Sequence, residues 1–197
     1  MRPTQIREFE MKKAMITIVL VCLCCFSFSQ ETQSTEQTST SQTIEFMQKD
    51  GTLLQREFYP LGKVSGVDCE VLIITDLISK KKIGCLRLTT EYYSSYNTDT
   101  YIGTLDFDEI AACIKSINYL NENILNVIPT TYTEVEYKTR DRVKVGAYSN
   151  EKKGTWSAYV YTKGYTSRSM ESFTAADLQQ LVSIMEQAKS IIEEKTK

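Results

Sequence analysis

The apolar positions of this chain first follow a period of two and then a period near 3.6, and this alternation happens twice. Between residues 43 and 105 the short-period pattern dominates. Thr43–Lys49 and Thr52–Tyr59 flank Asp50-Gly51, a strong hairpin signal. Val67–Ser79 carries the run CEVLIITDLI and turns at Lys80-Lys81-Lys82 into Ile83–Glu91. A polar loop, Tyr92–Asp99, leads to a short strand at Thr100–Leu105. The period then changes: Phe107, Ile110, Cys113, Ile114, Ile117, Leu120 and Ile124 mark one face of a helix, which Pro129 ends.

A second series follows the first. Tyr132–Lys138 and Arg142–Ser149 flank a turn at Arg140-Asp141. Thr155–Lys163 alternates Trp156, Ala158 and Val160 against Ser157, Tyr159 and Tyr161, so Trp156 is expected in the core and the tyrosines on the opposite face. Ser167–Phe173 reads as a strand, and Ala175–Lys195 as a helix with Leu178, Leu181, Val182, Met185, Ala188 and Ile192 on one side.

The two strand-to-helix junctions match. Asp106-Phe107-Asp108-Glu109 and Thr174-Ala175-Ala176-Asp177 both read as capping boxes. Each is bracketed by a hydrophobic staple, Leu105 with Ile110 and Phe173 with Leu178. The expected fold is therefore α+β: antiparallel sheet or sheets with two helices on one face. It is read as a tandem β4-α repeat, 52–128 and 131–195, with an additional N-terminal strand. One sheet face would be covered and the other open. This layout resembles that of secreted β-lactamase inhibitor proteins, in architecture alone; no motif is shared and no function is implied.

The first 29 residues stand apart. Met11-Lys12-Lys13 precedes the apolar stretch Ala14–Phe28, and Ser27-Phe28-Ser29 places small residues at −3 and −1 before Gln30. This is the three-part pattern of a cleaved signal peptide, with Met11 a credible start, in the style of Gram-negative bacterial export signals. The apolar stretch is shorter than the roughly 20 residues of a membrane-spanning helix. Cys22, Cys24 and Cys25 lie within it, but none is preceded by the small residue that lipidation favours. The chain is thus expected in the periplasm, at the cell surface or outside the cell, without a transmembrane anchor after processing. Residues 30–42, QETQSTEQTSTSQ, contain no apolar side chain and read as a disordered linker, leaving 43–197 as a single domain.

Processing changes the charge and the chemistry. Removing residues 1–29 takes four bases and two acids from a chain of net charge −2, leaving −4. That balance points away from nucleic acid. No histidine occurs, which excludes histidine-based catalytic pairs and histidine metal ligands. Cys69, Cys85 and Cys113 remain, an odd number; the hairpin turn places Cys69 opposite about residue 91 and not opposite Cys85. Asn97-x-Asp99 and Asp106-x-Asp108 are too sparse for a calcium loop. No cofactor or metal signature is present.

The residues best suited to recognition are aromatic. Tyr92, Tyr93 and Tyr96 lie in a Ser- and Asn-rich loop. Tyr159 and Tyr161 lie on the open strand face, with Lys or Glu expected beside them from neighbouring strands. The leading expectation is a non-enzymatic binding module of the bacterial cell envelope, its partner another envelope or extracellular protein, or a glycan. An envelope enzyme using carboxylates or Tyr and Lys is the alternative, and a structural or assembly module a further one. N-terminal sequencing of exported protein is expected to begin at Gln30; a lipid-blocked cysteine at the N-terminus would refute this processing.

Overall fold

The computed structural model describes residues 40–150 and 152–197, so the signal peptide expected over residues 1–29 and residues 30–39 of the expected linker lie outside the described residues. The chain forms two antiparallel meanders, each of four strands, and each followed by a helix. Sheet 1 has the order β1 (Leu54–Val64), β2 (Val67–Asp76), β3 (Lys82–Tyr93) and β4 (Thr98–Asp106). Helix α2 (Phe107–Tyr119) follows and runs into a π-helical turn at Leu120–Ile124. Sheet 2 has the order β5 (Glu134–Lys138), β6 (Lys144–Asn150), β7 (Thr155–Tyr161) and β8 (Met170–Phe173), with a 3₁₀ turn at Ser167–Ser169 before β8. Helix α3 (Ala175–Lys195) ends the fold. The expected β4-α layout thus occurs twice.

One main core joins both halves. Val71, Ile73, Leu86 and Leu88 from sheet 1 and Val143, Val145 and Val160 from the second half pack with Ile110 and Ile117 of α2 and Leu178, Leu181 and Met185 of α3. The helices bury the faces that their periodicity marked. Trp156 sits at the edge of this core, half-buried, and its Nε1 donates to the Val127 carbonyl at 2.8 Å. Cys69, Cys85 and Cys113 are free and buried. Cys69 faces Leu88 and Cys85 faces Leu72, because the β2–β3 turn is centred earlier than the lysines suggest. Asp76 draws it there: its carboxylate accepts from the Ile78 and Ser79 N–H groups and from Ser79 Oγ.

The N-terminal strand expected over Thr43–Lys49 is instead a short helix, α1 (Gln42–Met47). Thr43 and Phe46 are buried, a spacing of three. The Asp50-Gly51 turn does form, with Gly51 at φ 70°, but it leads out of a helix into β1 rather than between two strands. The stretch read as linker to Gln42 also ends earlier, since Ser41 is already buried and caps α1 by accepting from the Ile44 N–H at 3.4 Å.

A six-residue helix has too few internal bonds to persist alone. Two contacts hold α1. Phe46 packs with Leu72, Ile74 and Cys85, covering the side of sheet 1 that faces away from α2 and α3. This is why CEVLIITDLI is apolar nearly throughout: Val71 and Ile73 face the main core while Leu72 and Ile74 face α1. The second contact is Asp106, the last residue of β4 and the N-cap of α2, which is 1% exposed. Its carboxylate accepts from Ser41 Oγ (3.0 Å), Gln42 N–H (2.8 Å) and Thr43 N–H (3.0 Å), and pairs with Arg140 Nη2 at 3.1 Å. Glu109 completes the local capping box by accepting from the Asp106 N–H, and also accepts from the Arg140 N–H at 2.8 Å. Burial pushes the Glu109 carboxyl pKa up, against these hydrogen bonds.

The two sheets meet along a polar seam. Thr90 Oγ1 and Thr162 Oγ1 are 2.7 Å apart and fully buried. Asp141 accepts from the Thr104 N–H and hydroxyl and pairs with Lys163 at 2.7 Å. Gly103 is required there: a Cβ would stand 2.1 Å from the Thr162 carbonyl oxygen.

Replacing Asp106 by Ala strands buried donors on α1 and leaves Arg140 with two of its three acidic partners. A loss of about 3 kcal/mol in a urea titration is expected, against a much smaller one for Asp68→Ala, which breaks an exposed pair with Lys63. Equal losses would show that Asp106 is not the anchor described.

Candidate functional site

Sheet 2 differs from sheet 1 in that no helix among the described residues packs on its outer face. The register fixes what that face carries. Glu134 lies opposite Tyr148, and Tyr148 opposite Ser157. In the next row Glu136, Gly146, Tyr159 and Ser172 run across all four strands. In the row beyond, Lys138, Lys144, Tyr161 and Met170 align. Acids from β5, a lysine and a tyrosine from β6 and two tyrosines from β7 therefore share one surface.

The surface is hollow. A concavity of about 490 Å³ is lined by Tyr132, Tyr148, Tyr159, Tyr161 and Tyr165 together with Glu134, Glu136, Lys144, Thr166 and Ser167. Gly146 shapes its floor. A Cβ there would stand 2.9 Å from Tyr159 Oη and 2.4 Å from the Val135 carbonyl oxygen, so only a residue without a side chain lets the Tyr159 ring lie across β6. Tyr159 is consequently just 5% exposed. Its ring centroid is 6.1 Å from Tyr148 at a tilt of 31°, and 5.2 Å from Tyr161 in an edge-on arrangement at 83°. These are the separations at which aromatic rings attract one another. Tyr132 and Tyr165 are largely exposed and form the rim.

The charged groups in the hollow are engaged. Lys144 Nζ pairs with Glu136 at 2.8 Å, and the Tyr132 hydroxyl donates to Glu134. Burial pushes the Tyr159 phenol up to about 12, with Glu136 and Glu134 adding to the effect. One wall is the 3₁₀ turn. Ser169 Oγ donates toward the Lys163 and Thr166 carbonyls and accepts from the Lys163 N–H, which holds the chain around Thr166 and Ser167 in place.

The two tyrosine groups singled out from the sequence fare differently. Tyr159 and Tyr161 lie in the hollow, beside the Glu and Lys side chains expected near them. Tyr159 is buried as floor, not exposed as its strand position suggested, because Gly146 admits it. Tyr92, Tyr93 and Tyr96 lie at the tip of the β3–β4 hairpin, on the other sheet. Tyr93 hydrogen-bonds Glu91, and Tyr96 is fully exposed without a packed neighbour. Tyr92 alone approaches the concave site: Arg168, adjacent to Ser167, stacks 5.2 Å over its ring and pairs with Asp99 at 3.1 Å. The sequence reading missed Tyr132, Tyr148, Tyr165, Glu134, Glu136 and Lys144. Their signal was the alternation of β5 and β6, which puts all but Tyr132 and Tyr165 on the Tyr159 face.

Three other features compete less well. A groove of about 660 Å³ between α2 and the open edge of β5 is larger, lined by Ala111, Ile114, Tyr119, Val135 and Tyr137 among others. It is the gap beside a sheet edge, and the Ser116 hydroxyl on its wall bonds only its own helix at Ala112. The Glu70–Arg87 pair lies on the outer face of sheet 1 beside a shallow hollow, with Phe58 against the guanidinium. Among the described residues no group of three or more acidic or cysteine side chains could hold a metal ion. The Asp99 and Asp106 carboxylates, where oxygen ligands alternate in the sequence, bond Arg168 and α1 instead.

Tyr159 and Tyr137, both pushed to about 12, are expected to titrate above the ordinary tyrosine value of about 10 in an ultraviolet phenolate titration. Their raised pKa stabilises the fold fully below pH about 10, and this stabilisation is lost as pH rises through about 12. Gly146→Ala is expected to lift Tyr159 from the floor and return one phenol towards the ordinary value; an unchanged titration would refute the role of Gly146. No protein-family model matches the chain, and neither a curated protein nor a solved structure matches it significantly, so the functional reading rests on this geometry.

Proposed function

We propose that this protein is an exported, non-enzymatic binding module of a bacterial cell envelope, and that the tyrosine-floored hollow on sheet 2 is its recognition surface. The observation that carries the reading is the contrast between the two sheet faces. Sheet 1 covers Leu72 and Ile74 with a dedicated helix, whereas among the described residues no helix covers the aromatic surface of sheet 2. Tyrosine is enriched at contact surfaces, and Tyr132 and Tyr165 at the rim are largely exposed.

The chemistry of the hollow suits binding better than catalysis. Its carboxylates accept from Lys144 and Tyr132, and the rings of Tyr148, Tyr159 and Tyr161 are held by packing on strands. Rigid tyrosines give contact area at low entropic cost, and the hydroxyls of Thr166 and Ser167 add adaptable hydrogen bonds. The signal sequence at residues 1–29 supports export, and the Ser/Thr/Gln stretch after it suits a spacer between domain and surface.

The test is paired substitution followed by quantitative binding to whole envelopes from the cells that make the protein. Tyr161→Ala combined with Tyr165→Ala is expected to weaken binding at least about tenfold, as loss of aromatic anchors does. Tyr93→Ala combined with Tyr96→Ala, on the β3–β4 hairpin and outside the lining of the hollow, is expected to leave binding unchanged. The reverse ranking would move the recognition surface to the β3–β4 hairpin tip.

A further inference from the structure

Resting on that reading, the geometry points to a neutral, polyhydroxylated ligand for the sheet 2 hollow: we infer that the site binds an uncharged glycan. The argument begins with charge. The charged side chains lining the hollow are two carboxylates, Glu134 and Glu136, and one ammonium, Lys144. Lys144 is spent on Glu136, and Glu134 accepts the Tyr132 hydroxyl. An anion would have to take Lys144 from Glu136 and leave that carboxylate in the hollow without its partner. A cation would have to compete with Lys144 for Glu136 or displace the Tyr132 hydroxyl from Glu134. Each exchange gives up a contact that is already made, for the modest gain of a partly exposed ion pair.

A ligand that is apolar throughout fits no better. It would cover the Glu136–Lys144 pair and the Thr166 hydroxyl without offering hydrogen bonds, and buried polar groups left unpaired are costly. A sugar hydroxyl both donates and accepts. It can add to each member of the pair, donating to Glu136 and accepting from Lys144, without separating them. The C–H faces of a pyranose ring are weakly apolar and match the aromatic component, Tyr148 and Tyr161 flanking the buried Tyr159.

Shape and rigidity agree. A hollow of about 490 Å³ lies within the range of small-ligand sites and suits one or two sugar rings. It is open, not enclosed, so a longer chain can cross it, with Tyr132 and Tyr165 at its rim to meet flanking residues. The floor is set before binding: Gly146 admits Tyr159, and β6, β7 and β8 fix the rest by register. Little ordering entropy remains to oppose a ligand that binds through a few hydrogen bonds.

The experiment screens the purified mature protein against immobilised oligosaccharides. The panel holds neutral fragments of glucans, mannans, galactans and N-acetylglucosamine polymers, and acidic fragments of uronic-acid polymers of matched length. Binding to at least one neutral fragment is expected. It should persist in molar-range salt, because no ion pair forms with the ligand. It should weaken at least about tenfold in Tyr161→Ala and more moderately in Lys144→Met, with Tyr96→Ala as the unaffected control. Selective, salt-sensitive binding of the acidic fragments would overturn the inference. So would binding of no fragment at all. If no fragment binds while Tyr161→Ala still abolishes envelope binding, the ligand is another class, such as a protein, and the recognition surface stands. If Tyr161→Ala changes neither, the recognition surface falls with it.

Discussion

The buried carboxylate of Asp106 is the point through which the two halves of this fold are tied. It ends β4, begins α2, receives the first two helical N–H groups of α1 and meets Arg140 from the β5–β6 turn. Arg140 in turn touches Asp108 and Glu109, so one guanidinium serves three acids of the α2 N-terminus. A charge this deeply buried is tolerable only when each oxygen is satisfied, and here two backbone N–H groups, one hydroxyl and one guanidinium do so. The acids also lie where the helix dipole favours them. The cluster therefore fixes the β5–β6 turn against sheet 1, and through β5 and β6 it helps to set the position of the second sheet.

From that constraint the contrast between the two outer faces follows. The anchor brings α1 across the back of sheet 1, where Phe46 closes a small second core. Six residues are enough there because the helix has a polar clamp at one end and an aromatic plug at the other. Among the described residues nothing comparable reaches the back of sheet 2. Its outer rows are instead filled by side chains that tolerate water at one end and packing at the other: tyrosines, an ion pair and small hydroxyls. Tyr159 shows the compromise. Its ring is covered by its neighbours and by the backbone at Gly146, while its hydroxyl stays near Glu136.

Much of this architecture was legible in the sequence, for physical reasons. The eight strands and two long helices declare themselves through period, and both helix starts through capping boxes, because these signals depend on residues within one turn of each other. The mistaken strand at Thr43–Lys49 shows the limit. Asp50-Gly51 signals a reversal of the chain equally well after a helix or a strand, and Ile44 with Phe46 mimics alternation. What makes the segment helical is an acceptor at Asp106, more than sixty residues away, and no local pattern reports it. The hollow was half legible. Tyr159 and Tyr161 could be placed on an open face from β7 alone, but joining them to Glu134, Glu136, Lys144 and Tyr148 required the register of three strands. The glycine beneath Tyr159 acquires meaning only once β6 is known to lie beside β7.

The same register explains why an open sheet face can serve as a binding site at all. A hollow built on loops must be ordered at the moment of binding, and each immobilised side chain subtracts from affinity. Here Glu134, Glu136, Lys144, Tyr148, Tyr159 and Tyr161 are held by strands whose ladders are already formed. Thr166 and Ser167 come from a turn, yet that turn is pinned by Ser169 within sheet 2 and clasped by Arg168 to Tyr92 and Asp99 of sheet 1. The rim is thus referenced to both sheets. A substitution in the seam, at Gly103 or Thr162, would shift the wall of the hollow relative to its floor while leaving every floor residue intact. On the proposed reading, affinity would depend on contacts that no ligand touches, and the inter-sheet seam would belong to the proposed recognition site as much as the tyrosines do.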